Sequence, residues 1–83
     1  MSETKTIAIK YYAALREQAG RSDEQRSTVA HSAWDLYQEL AQEYDFSLTE
    51  KHLKVAINNA YQPLDSPLNS GDTIVFIPPV AGG

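Results

Sequence analysis

The chain has 83 residues, which sets the scale of a single small domain. With 42% hydrophobic and 22% charged residues, its composition is typical of a globular protein rather than a disordered one. Cysteine is absent, which excludes disulfides, thiolate metal sites and a thiol nucleophile. The net charge of −4, without any Lys/Arg cluster, argues against nucleic-acid binding. No apolar run approaches the roughly 18–20 residues that a membrane span needs.

The amino-terminal residues 1–5 are polar, and we expect them to form a disordered extension. They are too polar to open a signal peptide, so a cytoplasmic protein is expected. A chain of this size buries only about 60% of its unfolded surface, which leaves little room for a catalytic pocket. We therefore expect one domain, residues 1–83, that works together with partners.

The first half of the chain predicts a strand, a short helix and a second strand. In residues 6–12, β-branched and aromatic side chains dominate, and Ile7, Ile9 and Tyr11 alternate onto one face. Residues 13–19 favour a short helical segment, and Gly20 suits the left-handed position that ends it. A second strand is expected within residues 25–30, where the alternation is weak.

The longest helix is predicted to follow Ser32, which suits an N-cap with Asp35 three residues later. Its apolar stripe follows helical spacing and comprises Ala33, Leu36, Tyr37, Leu40, Ala41 and Tyr44. Trp34 falls at the edge of that stripe, either as a boundary residue or as a contact. Strands are predicted at residues 54–58, 61–62 and 73–77. One amphipathic helix against one mixed sheet is an α+β two-layer domain.

The last predicted strand is apolar on both faces. Ile74 and Phe76 point one way, whereas Val75 and Ile77 point the other, and one helix can cover only one face of the sheet. We therefore predict a partner surface on the uncovered face, formed by Tyr12, Tyr61, Val75 and Ile77. The alternative is that these are scattered surface hydrophobics, which are ordinary on any protein.

The carboxyl-terminal residues form a small-residue tail: Pro78, Pro79, Val80, Ala81, Gly82 and Gly83. Two prolines end the sheet ladder and hold the following residues extended. Because the last side chains are small or absent, such a tail can enter a narrow channel and place its carboxylate at a buried reaction centre. The alternative is a frayed terminus.

Other chemistry-bearing residues give no independent active site. His31 and His52 lack metal-ligand partners in register, so we expect solvated or hydrogen-bonded histidines and no metal site. The acidic side chains Asp35, Glu39 and Glu43 share one helix face, where we expect them to be solvated and mildly self-repelling. No nucleophile–base arrangement or phosphate-cradling Gly-rich loop is present.

Three segments resemble a known family, the small subunit of molybdopterin synthase (MoaD), a ubiquitin-like β-grasp sulfur carrier. Residues 11–20 resemble that family's aromatic-Ala-x-Leu-Arg-Glu-x-x-Gly segment. In the middle of the chain, residues 55–58 lead towards Pro67-Leu68 and Gly71-Asp72. The ending Pro-Pro-Val-Ala-Gly-Gly, at residues 78–83, is the most specific part. The likeness covers nearly the whole chain beyond residue 5.

The resemblance implies that Gly83 is the reacting residue. An adenylating enzyme (MoeB-like) would join its carboxylate to AMP at the expense of ATP. A protein persulfide would then convert it to a thiocarboxylate. The tail with its thiocarboxylate would enter the large synthase subunit (MoaE-like), and the two kinds of subunit would form a heterotetramer. There the tail would donate sulfur to cyclic pyranopterin monophosphate to build the molybdopterin dithiolene. No cofactor would be bound stably, and the chain would be non-catalytic alone.

Related alternatives remain open at this point. Carriers for thiazole synthesis and tRNA thiolation also end in Gly-Gly. A ubiquitin-like modifier would instead join its terminal glycine to a lysine amine, and a non-covalent β-grasp binding domain would never activate its tail.

Overall fold

The computed structural model describes residues 4–48 and 50–78. In that part of the chain, five strands form one mixed sheet that packs on one long helix. The strands are β1 (Lys5–Tyr11), β2 (Asp23–Thr28), β3 (Lys54–Ile57), β4 (Ala60–Gln62) and β5 (Thr73–Ile77). The helices are α1 (Ala13–Ala19) and α2 (Ala33–Tyr44), with a 3₁₀ turn at Glu50–His52. The predicted α+β architecture is confirmed.

The strand order across the sheet is β2-β1-β5-β3-β4, so the last strand in the chain lies at the centre. The neighbours β1 and β5 run parallel, whereas β3 is antiparallel to β5. The carboxyl ends of β1 and β5 and the start of β3 therefore meet at one end of the sheet. Pro78, which follows β5, lies at that end.

The core forms where alternate strand residues meet the apolar stripe of α2. The strand residues in it are Ile7, Ile9, Tyr11, Val55, Ile57, Ile74 and Phe76. From α2, the buried residues are Ala33, Leu36, Tyr37 and Leu40. At the start of α2, the Ser32 Oγ accepts a hydrogen bond from the Asp35 N–H at 3.1 Å, which confirms the predicted cap. Trp34 packs at the edge of the core and stacks on Tyr37 with ring centroids 5.8 Å apart.

Two strands begin earlier than the sequence pattern predicts. β1 begins at Lys5, which was expected to belong to a disordered extension, and the Lys5 Nζ donates to the Ala30 carbonyl at 3.1 Å. β2 begins at Asp23. The sequence pattern misses this start because the inward positions of the strand are polar and give no hydrophobic alternation. Among the described residues, no helix is long and apolar enough to cross a membrane.

The inward side chains of β2 join it to α2 through a charged network. The Glu24 carboxylate accepts hydrogen bonds from the Tyr11 and Tyr44 hydroxyls at 2.6 and 2.7 Å. Arg26 donates to Glu24 at 3.2 Å, to Glu39 at 2.7 Å and to Glu43.

The expectation that the acidic face of α2 is self-repelling is therefore wrong for Glu39 and Glu43, although the side chain of Glu43 is half exposed to solvent as expected. The guanidinium of Arg26, supplied by the neighbouring edge strand, forms ion pairs with both carboxylates and so offsets their mutual repulsion. Glu39 also accepts a hydrogen bond from the Thr28 hydroxyl at 2.7 Å.

Candidate functional site: the outer face of the sheet and the root of the tail

The central strand β5 presents an apolar side chain on each face. Ile74 and Phe76 are fully buried against the core, whereas Val75 and Ile77 are only half-buried. The predicted alternation is confirmed. Because α2 packs on the inner face, Val75 and Ile77 lie on the face that the described residues leave without a helix.

The strand register places the predicted surface residues on this outer face. Val75 lies opposite Ala56 of β3, and Ala56 lies opposite Tyr61 of β4. Residues directly opposite each other in a sheet share a face, so Val75, Ala56 and Tyr61 form one row. Tyr61 is the most exposed large hydrophobic side chain among the described residues, at 73%.

Tyr12 reaches the same face from the end of β1. Its backbone is still extended, at φ −130° and ψ 153°, and its side chain is 50% exposed. The register pairs Tyr11 with Phe76, so the next position along each strand brings Tyr12 beside Ile77. Ala13 then takes a positive φ of 52°, which turns the chain sharply into α1 and leaves Tyr12 projecting.

We call Tyr12, Ala56, Tyr61, Val75 and Ile77 the outer surface. The structure brings all four residues of the predicted partner surface onto this face. That they contact a partner stays a prediction.

The root of the tail adjoins the outer surface. Pro78 follows β5 directly and is buried, so the first residue of the predicted tail is held against the domain. Beside it lies an open depression of about 400 Å³, whose lining includes Lys51, His52, Tyr61 and Ile77. Pro79, Val80, Ala81, Gly82 and Gly83 lie outside the described residues.

The groups with shifted pKa values lie on the other side of the sheet. Burial and the adjacent Glu24 carboxylate raise the pKa of the Tyr11 and Tyr44 hydroxyls. The hydrogen bond from Arg26 lowers the pKa of Glu43. The described residues do not contain a group of three His, Asp or Glu side chains placed to hold a metal ion. These titrating groups belong to the junction of β2 with α2 and are not part of the outer surface.

Besides Ala56, two lysines of this face are absent from the predicted partner surface. Lys10 lies opposite Val75 on one side of β5, and Lys54 lies opposite Ile77 on the other. The signal that could have found them is strand parity, because Lys10 stands between the inward residues Ile9 and Tyr11, and Lys54 precedes the inward Val55.

A five-stranded mixed sheet packed on one helix, with a central last strand that leads into a tail, defines a ubiquitin-like β-grasp protein. Solved structures agree with this fold. The small archaeal modifier protein 1 from Methanosarcina acetivorans superposes with a TM-score of 0.75, at 24% identity, over 98% of this chain and 99% of that one. In the complex of subunits 1 and 2 of molybdopterin-converting factor from Helicobacter pylori, one chain superposes with a TM-score of 0.61, at 23% identity, over 94% of this chain and 99% of that one.

The sequence identifies the branch within this fold. Residues 9–83 match the model of the ThiS family, and the chain belongs to that family. The molybdopterin synthase sulfur carrier subunit of Haemophilus influenzae is 36% identical over 93% of this chain and 99% of its own length. The protein of the same description from Escherichia coli is 30% identical over the same shares of the two chains. The resemblance to the small subunit of molybdopterin synthase is thereby confirmed.

Proposed function

We propose that this chain is a sulfur carrier that serves as the small subunit of a molybdopterin synthase. The observation that carries the proposal is the likeness to molybdopterin synthase sulfur carrier subunits along almost the entire length of both chains. The geometry is compatible with that role, because β5 is held on both sides by β1 and β3 and runs directly into the tail. The outer surface beside the tail offers the place where a large subunit would dock.

The proposed chemistry takes place at the carboxylate of Gly83. A carboxylate oxygen attacks the α-phosphate of ATP in a separate adenylating enzyme, and pyrophosphate leaves. A protein persulfide then attacks the acyl carbon and AMP leaves, after which a thiol reduces the resulting disulfide and releases the thiocarboxylate. This step gives the chain a soft sulfur nucleophile, although its sequence contains no cysteine.

The large subunit would supply the pocket and the electrostatics, and this chain would supply the nucleophile. Two transfers of sulfur to cyclic pyranopterin monophosphate would complete the dithiolene. No stably bound cofactor is needed on this chain, since ATP is consumed by the activating enzyme. We place the reaction in the cytoplasm, where that ATP is available.

The proposed function requires a tail of fixed length, because the terminal carboxylate has to reach a reaction centre in another protein. One added residue moves the terminal carboxylate by about 3.3 Å. A displacement of about 1 Å in a reacting group can cost on the order of a hundredfold in rate. A chain with one alanine after Gly83 should therefore fold normally and bind the large subunit, but transfer almost no sulfur.

The test is the intact mass of the chain after incubation with an adenylating enzyme, ATP and a persulfide donor. We expect the mass increment of an oxygen-to-sulfur exchange in the full chain and no increment in a variant that lacks Gly83. Adducts on lysine side chains would instead identify a protein modifier, and an unchanged mass would identify a binding domain that never activates its tail. Sulfur transfer to a thiazole or tRNA precursor, but not to the pyranopterin, would assign the carrier to another pathway.

A further inference from the structure

Two lysines stand on either side of the strand that leads to the tail. Lys10 on β1 and Lys54 on β3 are both exposed, and each lies directly opposite an outer-surface residue of β5. From the spacing of strands and residues in a sheet, their Cα atoms are about 12 Å apart. The apolar ridge of Val75 and Ile77 therefore runs between two cations.

These lysines are not neutralised by their surroundings in the described structure. All ion pairs between described side chains involve Arg21 or Arg26 with acidic residues of β2 and α2. Asp23 is the cross-strand neighbour of Lys10, yet the two side chains do not form an ion pair. The strand residues of this face therefore carry two lysines against the one carboxylate of Asp23, whereas the chain as a whole carries a charge of −4.

We propose that the partner that receives the tail carries carboxylates on both sides of an apolar patch, and that Lys10 and Lys54 pair with them when Val75 and Ile77 dock. This inference rests on the proposed function, because it takes the large synthase subunit as the occupant. The inference adds to the proposed function the ion pairs by which this chain would select that subunit. Lys51, which lines the depression beside Pro78, adds a further cation where this face adjoins the tail.

The charge pattern favours this occupant over a second copy of the chain. A symmetric pair that met through this face would bring the lysines of both copies together around the same apolar ridge, and like charges there are unfavourable. The face also lacks the density of cations that phosphate-driven binding requires, since the chain has only 7 Lys and Arg residues in total.

The experiment compares two double variants that carry the same net charge. In K10Q/K54Q, both flanking cations become neutral amides of similar length. In the control Q38E/Q42E, two exposed residues of α2, on the opposite side of the sheet, become acidic. Binding to the purified large synthase subunit of the same organism is measured by surface plasmon resonance between 50 and about 500 mM NaCl, a range over which screening grows strongly.

We expect K10Q/K54Q to raise Kd by about 10- to 100-fold, to slow association and to lose most of the salt dependence. The control should bind within about threefold of the native chain, because its added charges lie far from the contact. Equal losses in the two variants would show a net-charge effect and overturn the proposal, as would native-like affinity in K10Q/K54Q.

Other outcomes separate this inference from the proposed function. If the native chain itself does not bind the large subunit, the proposed function fails. If it binds with the same affinity and salt dependence as K10Q/K54Q, only the paired-carboxylate inference fails. Native-chain binding to a labelled single-stranded RNA that is lost in K10Q/K54Q would assign the lysines to nucleic acid and overturn the inference as well.

Discussion

Replacing Arg26 by methionine tests the charged network that joins the edge strand β2 to α2. Methionine keeps much of the apolar stem but removes the guanidinium. The side chains of Arg26 and Glu24 are only 15% and 8% exposed, and their charged atoms lie 3.2 Å apart. The contacts of Arg26 with Glu39 and Glu43 are more exposed on the acidic side and contribute less to stability.

The magnitude follows from what remains around Glu24. Removing one partner of a buried ion pair costs about 3–5 kcal/mol when the other charge is left without compensation. Here the Tyr11 and Tyr44 hydroxyls still donate to the carboxylate, so we expect a loss of about 2–3 kcal/mol in the free energy of unfolding. For a domain of this size that loss corresponds to a Tm lower by about 10–20 °C.

The assay is urea unfolding followed by the fluorescence of Trp34, the only tryptophan, which stacks on the core residue Tyr37. The matched control is Arg21→Gln, because Arg21 lies 3.7 Å from the same Glu24 carboxylate but is 52% exposed. We expect that control to lose less than about 0.5 kcal/mol. If Arg26→Met were no less stable than Arg21→Gln, the network would not be holding β2 against α2.

Three further predictions concern the outer surface, acid stability and the turn after Tyr12. Ile77→Lys should weaken binding of the large subunit about thirtyfold by calorimetry, whereas Val29→Lys, at an exposed site outside the outer surface, should not. The pKa of Glu43 is lower in the folded chain than its ordinary value of 4.5. The ionised Glu43 carboxylate therefore stabilises the fold above pH 4.5, and this contribution is lost as the pH falls through the folded-state pKa. Urea midpoints should therefore fall more steeply below that pH in the native chain than in Arg26→Met. Ala13→Gly should raise Tm by a few degrees in calorimetric scans, since glycine adopts the positive φ of 52° without strain.

The sequence predicts the elements whose burial is hydrophobic. In β5, Ile74 and Phe76 are large and apolar, so period-two alternation identifies both the strand and its inward face. In α2, the cap at Ser32 and the spacing of Leu36 and Leu40 do the same for the helix. These signals are local, and the packing does not override them.

The strand β2 illustrates the limit of that approach. Its inward residues Glu24 and Arg26 are charged, and their partners Glu39, Glu43 and Tyr44 come from α2. No local pattern reveals that such charges are satisfied on the inner side of a sheet. The flanking lysines are missed for the converse reason. Their significance depends on β1 and β3 both lying beside β5, and this strand order is a tertiary fact.

The strand order also bears on how a domain this small could deliver a group at a fixed distance. A tail that left from an edge strand would start from backbone hydrogen-bonded on one side only, and such strands open more readily. β5 pairs with β1 over residues 73–76 and with β3 over residues 74–77, and Pro78 is buried where β5 ends. The edges are formed instead by β2, which the Arg26 network ties to α2, and by the short β4. Fraying at either edge therefore leaves Pro78 in place. Under the proposed function, the distance that Gly83 can reach should then depend on the number of residues after Pro78, which the extended-tail variant changes directly.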